Sequence, residues 1–232
     1  MKSLATSAKA IYVERVQPKV DSLMPSARTY HASCLIGKYM VTIGGEANTD
    51  LKDFWALDLE GRTWHRPEID FKDYYTPKRF HTVNTLSPTQ IVSFGGCHSE
   101  YIHMNEMHIF DMAQFLSDPL SSNCKVIVTR VNVSEGVPST RWGHAAATYQ
   151  GKLYILGGRN ESDINDLHEF SLEDMSWKEI EIVDPKFKPR RRHSAVFISG
   201  SLITFGGFDG SFFNDMNILD LQATERDSIK IP

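Results

Sequence analysis

The chain has 232 residues, 41% hydrophobic and 23% charged, ordinary values for a globular protein able to build a core. A formal net charge of −4 gives no sign of a nucleic-acid or membrane surface. Three cysteines (Cys34, Cys97 and Cys124), odd in number and far apart, argue against a disulfide framework and for free thiols in a reducing compartment.

In chain order, residues 1–10 hold no long apolar segment, so neither a signal peptide nor a membrane span is expected. The sequons at Asn132 and Asn160 then read as accidental. The first candidate element is a strand over residues 10–16, which leads through a polar stretch to Pro25. A short pattern follows and returns in four copies: a basic residue, two variable residues, a His, and about thirteen residues later a glycine pair closing an apolar run. The copies begin at Arg28 and His31, Lys78 and His81, Arg141 and His144, and Arg190 and His193. Their glycine pairs are Gly44 and Gly45, Gly95 and Gly96, Gly157 and Gly158, and Gly206 and Gly207. Successive histidines are 50, 63 and 49 residues apart, and a repeat of roughly 50 residues built from short strands is the sign of a propeller blade.

Residues 30–36 and 143–149 are short and rich in small side chains, which suits an innermost strand where blades crowd together. Residues 38–43, 90–94, 152–156 and 201–205 are apolar runs too short for helices and bounded by turn residues, hence second strands. The glycine pair lets the backbone turn through positive φ and pass close to its neighbours. Beyond it, an acid recurs in every copy: Asp53, Glu106, Asp166 and Asp215. In the last three copies Asn105, Asn165 or Asn214 stands directly before it, fitting the turn that opens a third strand. Trp64 and Trp177 fall in fourth strands. Each copy thus reads as a four-stranded antiparallel meander, with blades over about 25–70, 76–134, 138–183 and 188–231 of one domain spanning 1–232. The one clear insertion, residues 112–124, joins the third and fourth strands of copy two. Residues 112–116 suit a helical turn ended near Pro119, projecting from the rim or one face as a binding element or a plain connection.

The basic-x-x-His, Gly-Gly, Asn-Asp and late Trp elements, in this order, resemble the kelch-repeat family over about residues 25–221. The resemblance implies an all-β, kelch-type β-propeller with four recognisable four-stranded blades. Copy two lacks the late Trp, and copy four stops before a clear fourth strand. Closure therefore has several solutions. Residues 10–16 could supply the missing strand of copy four, residues 228–231 compete for that role, and the ring is either small and closed or partial and completed by a partner.

Signals of catalysis are weak. His98, His103 and His108, with Glu100 and Glu106 between them, would need to converge on one ion, whereas His108 is expected to point out from the third strand. No metal and no cofactor is expected. No zinc spacing, phosphate-binding loop, zinc-protease helix motif or nucleophile elbow occurs, and the glycines at 206, 207 and 210 precede no helix that could hold an anion. The four repeated histidines sit at equivalent positions, where a scaffold needs fourfold repetition and a catalytic centre does not, so packing and hydrogen bonding are their expected roles.

The chain entries into the first strands and the loops after the glycine pairs lie on one face of a meander, at a mouth of the channel. Candidate binding residues there are Arg28, Tyr30, Arg79, Phe80, Tyr101, Arg141, Trp142, Arg159, Arg191, Arg192, Phe208 and Phe212, of types that dominate interface energies. The basic run over residues 186–192 could receive an acidic peptide, a carboxylate or a phosphate through bidentate pairing, but is too short and isolated for nucleic acid. The expected function is a non-catalytic, cytoplasmic scaffold or substrate-recruiting module that takes a protein partner, as a peptide or acidic loop, at the channel mouth. A kelch-type enzyme acting on a sugar and a structural subunit completed through the open edge of blade four are the alternatives, with the oligomeric state open.

Overall fold

Each copy of the repeat folds into one antiparallel sheet, because alternating apolar residues on short strands can be buried only against a neighbouring sheet. The structure, a computed structural model, describes residues 23–71, 74–99, 102–121, 124–133 and 135–221. The two candidate closing strands, residues 10–16 and 228–231, lie outside the described residues. Blade one comprises β1 (Ala32–Ile36), β2 (Tyr39–Glu46), β3 (Asp50–Asp58) and β4 (Thr63–His65), paired in that order. After β5 (Glu68–Phe71), blade two continues with β6 (Thr82–Ser87), β7 (Gln90–Phe94), a small hairpin of β8 (Cys97–His98) and β9 (Ile102–His103), then β10 (Met107–Asp111), α1 (Ala113–Ser117) and β11 (Lys125–Arg130). Blade three is β12 (Ala145–Tyr149), β13 (Lys152–Arg159), β14 (Asp163–Ser171) and β15 (Ser176–Ile180). Blade four is β16 (Ser194–Ile198), β17 (Ser201–Phe205) and β18 (Met216–Asp220), three strands among the described residues.

Two features depart from a regular meander. Strand β5 lies where the sequence suggests the end of blade one, yet it pairs in parallel with the outermost strand of blade two, Lys125 opposite Glu68. The insertion does form a helical turn, but it does not project. Met112 and Phe115 are fully buried, and the Phe115 ring meets Tyr39 and His65 edge-on at 4.9 and 5.9 Å. Two apolar side chains three residues apart, on one face of the single turn, draw the loop into the seam between blades one and two rather than into solvent.

The core is divided into slabs between successive blades. Register sets which face enters each slab: Ala32 lies opposite Ile43 and Ile36 opposite Tyr39, and Ile43 lies opposite Phe54. This forward face of blade one is buried against Tyr75, Val83, Ile91, Phe110 and Val126. The forward face of blade two, with Val92, Phe94 and Met107, meets Leu153, Ile155 and Phe170 of blade three. Blade three in turn sets Ala147, Tyr154 and Leu156 against Phe197, Leu202 and Leu219 of blade four.

The glycine pairs fix the seams. A Cβ at Gly95 (φ +63°) would lie 2.9 Å from the Arg141 carbonyl oxygen and 2.9 Å from Cε1 of His144, both in the next blade. Gly206 holds the same place in blade four, with φ +69°, but among the described residues a Cβ there would meet only the Phe213 oxygen, at 3.5 Å. Gly95→Ala is therefore expected to cost about 3 kcal/mol, combining left-handed strain with a clash inside a packed seam. Gly206→Ala should cost about 1 kcal/mol from backbone strain alone. Urea midpoints of the two variants measure the difference, and equal losses would remove the seam as the explanation.

The mouth of the propeller as candidate functional site

The four basic residues that open the repeats turn inward to their own blades. Arg141 is fully buried and spends all five guanidinium donors: Nη1 donates to Asp166 Oδ1 (2.5 Å) and the Gly157 carbonyl (3.0 Å), Nη2 to Asp166 Oδ2 (2.8 Å) and Ser139 Oγ (3.1 Å), and Nε to the Ser139 carbonyl (3.1 Å). Arg28 repeats the arrangement with Asp53, Gly44 and Ser26, its side chain only 4% exposed. Arg190 does so with Asp215, Gly206 and Lys188. Burial works against the Asp166 charge, but hydrogen bonds from Arg141 and His168 outweigh it and hold the carboxyl well below its usual range. Blade two substitutes Lys78, whose Nζ reaches Glu106 Oε2 at 3.4 Å; burial pushes its pKa down to about 8 against the pull of that carboxylate. Arg28 and Arg141 are thus framework groups with no donor left for a partner, and they leave the set of candidate binding residues for that reason. The signal was present in sequence: basic residue and acid are 25 apart in copies one, three and four.

The residue directly before each repeated His forms the rim. The Phe80 N–H donates to the Tyr30 carbonyl (3.1 Å), the Gly143 N–H to the Phe80 carbonyl (3.1 Å), and the Arg192 N–H to the Gly143 carbonyl (2.6 Å). All four residues are left-handed, at φ +55°, +55°, +63° and +56° for Tyr30, Phe80, Gly143 and Arg192. This ladder between blades brings the rim side chains together. Tyr30 stacks on Phe80 with centroids 4.0 Å apart, and Phe80 lies 5.1 Å from Trp142. The Arg192 guanidinium sits 5.1 Å from the Phe80 ring and 5.4 Å from Trp142, and Arg191 lies over Trp142 and Phe208 at 5.6 and 4.7 Å.

Bridges between Thr29 and Glu46, Arg79 and Cys97, Trp142 and Arg159, and Arg191 and Phe208 tie the chain entries to the loops after the glycine pairs. The arginines differ in how much charge they keep free. Arg79 Nη1 pairs with Glu46 at 2.6 Å and approaches Asp50 at 3.4 Å, beside which His98 also lies. Arg191 Nη1 reaches both Asp163 oxygens, at 2.5 and 2.6 Å, and Arg159 lies 3.1 Å from the same carboxylate. Asp50 and Asp163, absent from the sequence-based candidates, are thus clamps from blades one and three onto the entries of blades two and four. Arg192 has no carboxylate partner among the described residues and is exposed. Phe212 packs on Phe208 at 5.0 Å and is 89% exposed. Tyr101 lies outside the described residues.

The basic run over 186–192 does not form a continuous patch, because Phe187 and Arg190 are buried within it and Arg191 is paired. His108 does not point outward. It is fully buried, edge-on to Tyr75 at 4.9 Å. Among the described residues no group of three His, Cys, Asp or Glu side chains could hold a metal ion. His81, His144 and His193 are buried in the seams, with His144 Nε2 sharing a hydrogen bond of 2.8 Å with Thr82 Oγ1.

Blades meeting face to face through apolar slabs, with inner strands in chain order β1, β6, β12 and β16, define a β-propeller. The family model described as the KLHDC2/KLHL20/DRC7 Kelch-repeats domain matches residues 6–116 and 76–231, and the chain belongs to the kelch-repeat family. Relatives include human Kelch domain-containing protein 3, 27% identical across 92% of this chain and 59% of its own length. Acyl-CoA-binding domain-containing proteins 4 and 5 of Arabidopsis thaliana are 30% and 31% identical across 93% of this chain, and 33% and 34% of their own lengths. The chain thus spans a third to three fifths of these relatives. Kelch-repeat propellers are generally non-catalytic protein-interaction modules. No helix among the described residues is long and apolar enough to cross a membrane.

Proposed function

We propose that this chain is a non-catalytic, cytoplasmic scaffold or substrate-recruiting module that takes a peptide or loop of acidic character at the propeller mouth. The observation that supports this most is Arg192. Its guanidinium is exposed, lies against Phe80 and Trp142, and has no carboxylate partner among the described residues, while the other rim arginines are neutralised by Asp50, Glu46 and Asp163. A carboxylate arriving there gains a charge-assisted pair beside apolar rings that already position the guanidinium. Tyr30 and Phe212, 45% and 89% exposed, supply flanking contact area on rigid blades.

The test is selection from a displayed library of acidic and neutral peptides, followed by affinity measurements on the peptides recovered. Arg192→Ala should weaken acidic peptides about tenfold to a hundredfold, in line with a charged hydrogen bond, and should reduce the salt dependence of binding. Thermal stability should stay within about 0.5 kcal/mol of the parent, as for most surface changes. Unchanged affinity in Arg192→Ala, or selection of neutral peptides alone, would overturn the reading.

A further inference from the structure

Each internal seam holds a run of three residues from the incoming blade by its backbone. The first residue is bonded on both sides: the Gly45 N–H donates to the Lys78 carbonyl (2.9 Å) and the Lys78 N–H to the Leu51 carbonyl (3.0 Å). Gly96 and Met104 hold Arg141 in the same way, both at 2.8 Å, and Gly158 and Ile164 hold Arg190 at 2.8 and 3.0 Å. The third residue donates its N–H to the rim carbonyl before it, as Phe80, Gly143 and Arg192 do along the ladder. Side chains sort by place in the run. The third falls against the preceding rim residue, as Phe80 does on Tyr30 at 4.0 Å. The second faces the loop after the preceding blade's glycine pair. There Arg79 meets Glu46 and Asp50, and Arg191 meets Asp163, whereas Trp142 meets the His103 ring with centroids 6.5 Å apart.

Blade four presents the same three backbone groups with no partner among the described residues: the Gly207 N–H, the Phe213 carbonyl and the Arg192 carbonyl. A cleft of about 410 Å³ lies here, its walls including Arg192, Gly207, Phe208, Phe212 and Phe213. Its side chains differ from those of the other seams. One and five residues beyond the second glycine, blade one has Glu46 and Asp50, and blade three has Arg159 and Asp163. Blade four has Phe208 and Phe212 at those places, packed together at 5.0 Å. Asp209, between them, is turned to the Ser211 N–H (3.1 Å). The acid that elsewhere receives an arginine is thus replaced by a ring, and the rim residue beside it is the exposed Arg192.

We propose that this cleft takes a tripeptide of a protein partner in the manner of an internal seam: any residue first, an aromatic residue second and an aspartate third. The proposal rests on Arg192 receiving an acid and assigns the residues around that acid. Gly207 and Phe213 hold the first residue by its carbonyl and its N–H, and the Arg192 carbonyl accepts the third residue's N–H. The second side chain lies on Phe208 and Phe212, where tilted ring contacts are favourable. The third residue takes a rim position, and all four rim residues of the chain are left-handed. Aspartate enters that conformation more readily than glutamate, and its carboxylate meets the Arg192 guanidinium.

Short peptides, acetylated and amidated so that no terminal carboxylate enters, test this by calorimetry on the 232-residue chain. A central Ala-Trp-Asp is expected to bind about tenfold or more tightly than Ala-Arg-Asp. N-methylation of the alanine nitrogen removes the bond to Phe213 and should cost about tenfold. N-methylation of the tryptophan nitrogen should cost much less, since the matching N–H groups of Arg79, Trp142 and Arg191 bond only within their own blades. Phe212→Asp restores the carboxylate that blades one and three carry, and should reverse the preference in favour of Ala-Arg-Asp. Its melting temperature should match the parent's, because Phe212 is 89% exposed. Acid-dependent binding that is lost in Arg192→Ala, yet indifferent to the second residue, to Phe212→Asp or to N-methylation, overturns this proposal and leaves the role of Arg192 standing. Equal binding of Ala-Trp-Asp and Ala-Trp-Asn overturns the role of Arg192, and this proposal with it. A chain that takes none of the capped peptides, because a second copy or another segment of its own fills the cleft, overturns the proposal alone, the library selection at Arg192 being read separately.

Discussion

Lowering the pH from about 7 to about 5 is expected to remove most of the stability of this protein. Burial pushes His81 and His108 down to about 3 and His193 down to about 4, and lowers His144 well below its ordinary value; the nearby charges of Lys78, Arg141 and Arg190 add to the effect. In the unfolded chain each imidazole takes up a proton near pH 6.5. Between that point and the folded pKa the unfolded state binds more protons than the folded one, so the histidines' contribution to stability is full above about pH 6.5 and falls as the pH drops. The slope is about 1.4 kcal/mol per pH unit for each histidine. Four of them give a loss on the order of 5 kcal/mol or more by pH 5, comparable with the whole stability of a typical domain. The paired carboxylates act elsewhere on the scale. Asp215 is held at about 2 and Asp166 lower still, so their contribution survives through this window and is lost only in stronger acid. Urea midpoints at stepped pH give the slope directly. His81→Asn, whatever it does to absolute stability, should flatten that slope by about one proton's share, and a flat profile between pH 7 and 5 would remove the seam histidines as its source.

Arg141→Met is the single substitution expected to cost most, about 3–5 kcal/mol, because it leaves a half-buried carboxylate without its ion-pair partner. The methionine retains much of the arginine's apolar stem, so packing alone does not account for the loss. Adding Asp166→Asn should restore part of it by removing the unpaired charge, while Asp166→Asn alone should be milder than Arg141→Met. Denaturation of the three variants and the parent forms a double-mutant cycle with a coupling energy of at least about 1 kcal/mol. Strict additivity would mean that the five-bond arrangement around Arg141 is incidental to stability.

The blades were legible in the sequence because each is a local object. Strand spacing, the glycine pairs and the four copies of the repeat can all be read along one segment; β7 and β17 fall where the apolar runs put them, and β12 lies within the small-residue stretch over 143–149. What lay between blades was harder to see. Glu68–Phe71 has no pattern of its own that says it will pair in parallel with a strand nearly sixty residues later, which only the docking of two blades decides. Phe115 sits in a segment whose polar residues suggest a surface loop, yet one seam-facing ring outweighs them. Arg28 and Arg141 read as surface charge because an isolated arginine usually is one. Their burial depends on an acid 25 residues away, and each half of that pair was visible without the pairing. The candidate binding residues could be named from the sequence, but the carboxylates that neutralise the other arginines among them could not, so Arg192 did not stand out.

The left-handed rim residues separate what the fold needs from what it displays. At Phe80 both backbone groups are committed to the neighbouring blades, and Gly143 satisfies the same geometry with no side chain at all. Tyr30, Phe80 and Arg192 accept a conformation that glycine would adopt with less strain. Any residue there that tolerates the backbone leaves every sheet register and every slab untouched, since the side chain is the one part of the position that the scaffold does not use. A library varied at Tyr30, Phe80, Gly143 and Arg192 would therefore sample recognition while holding architecture constant, and its glycine-bearing members would be the most stable and the least adhesive.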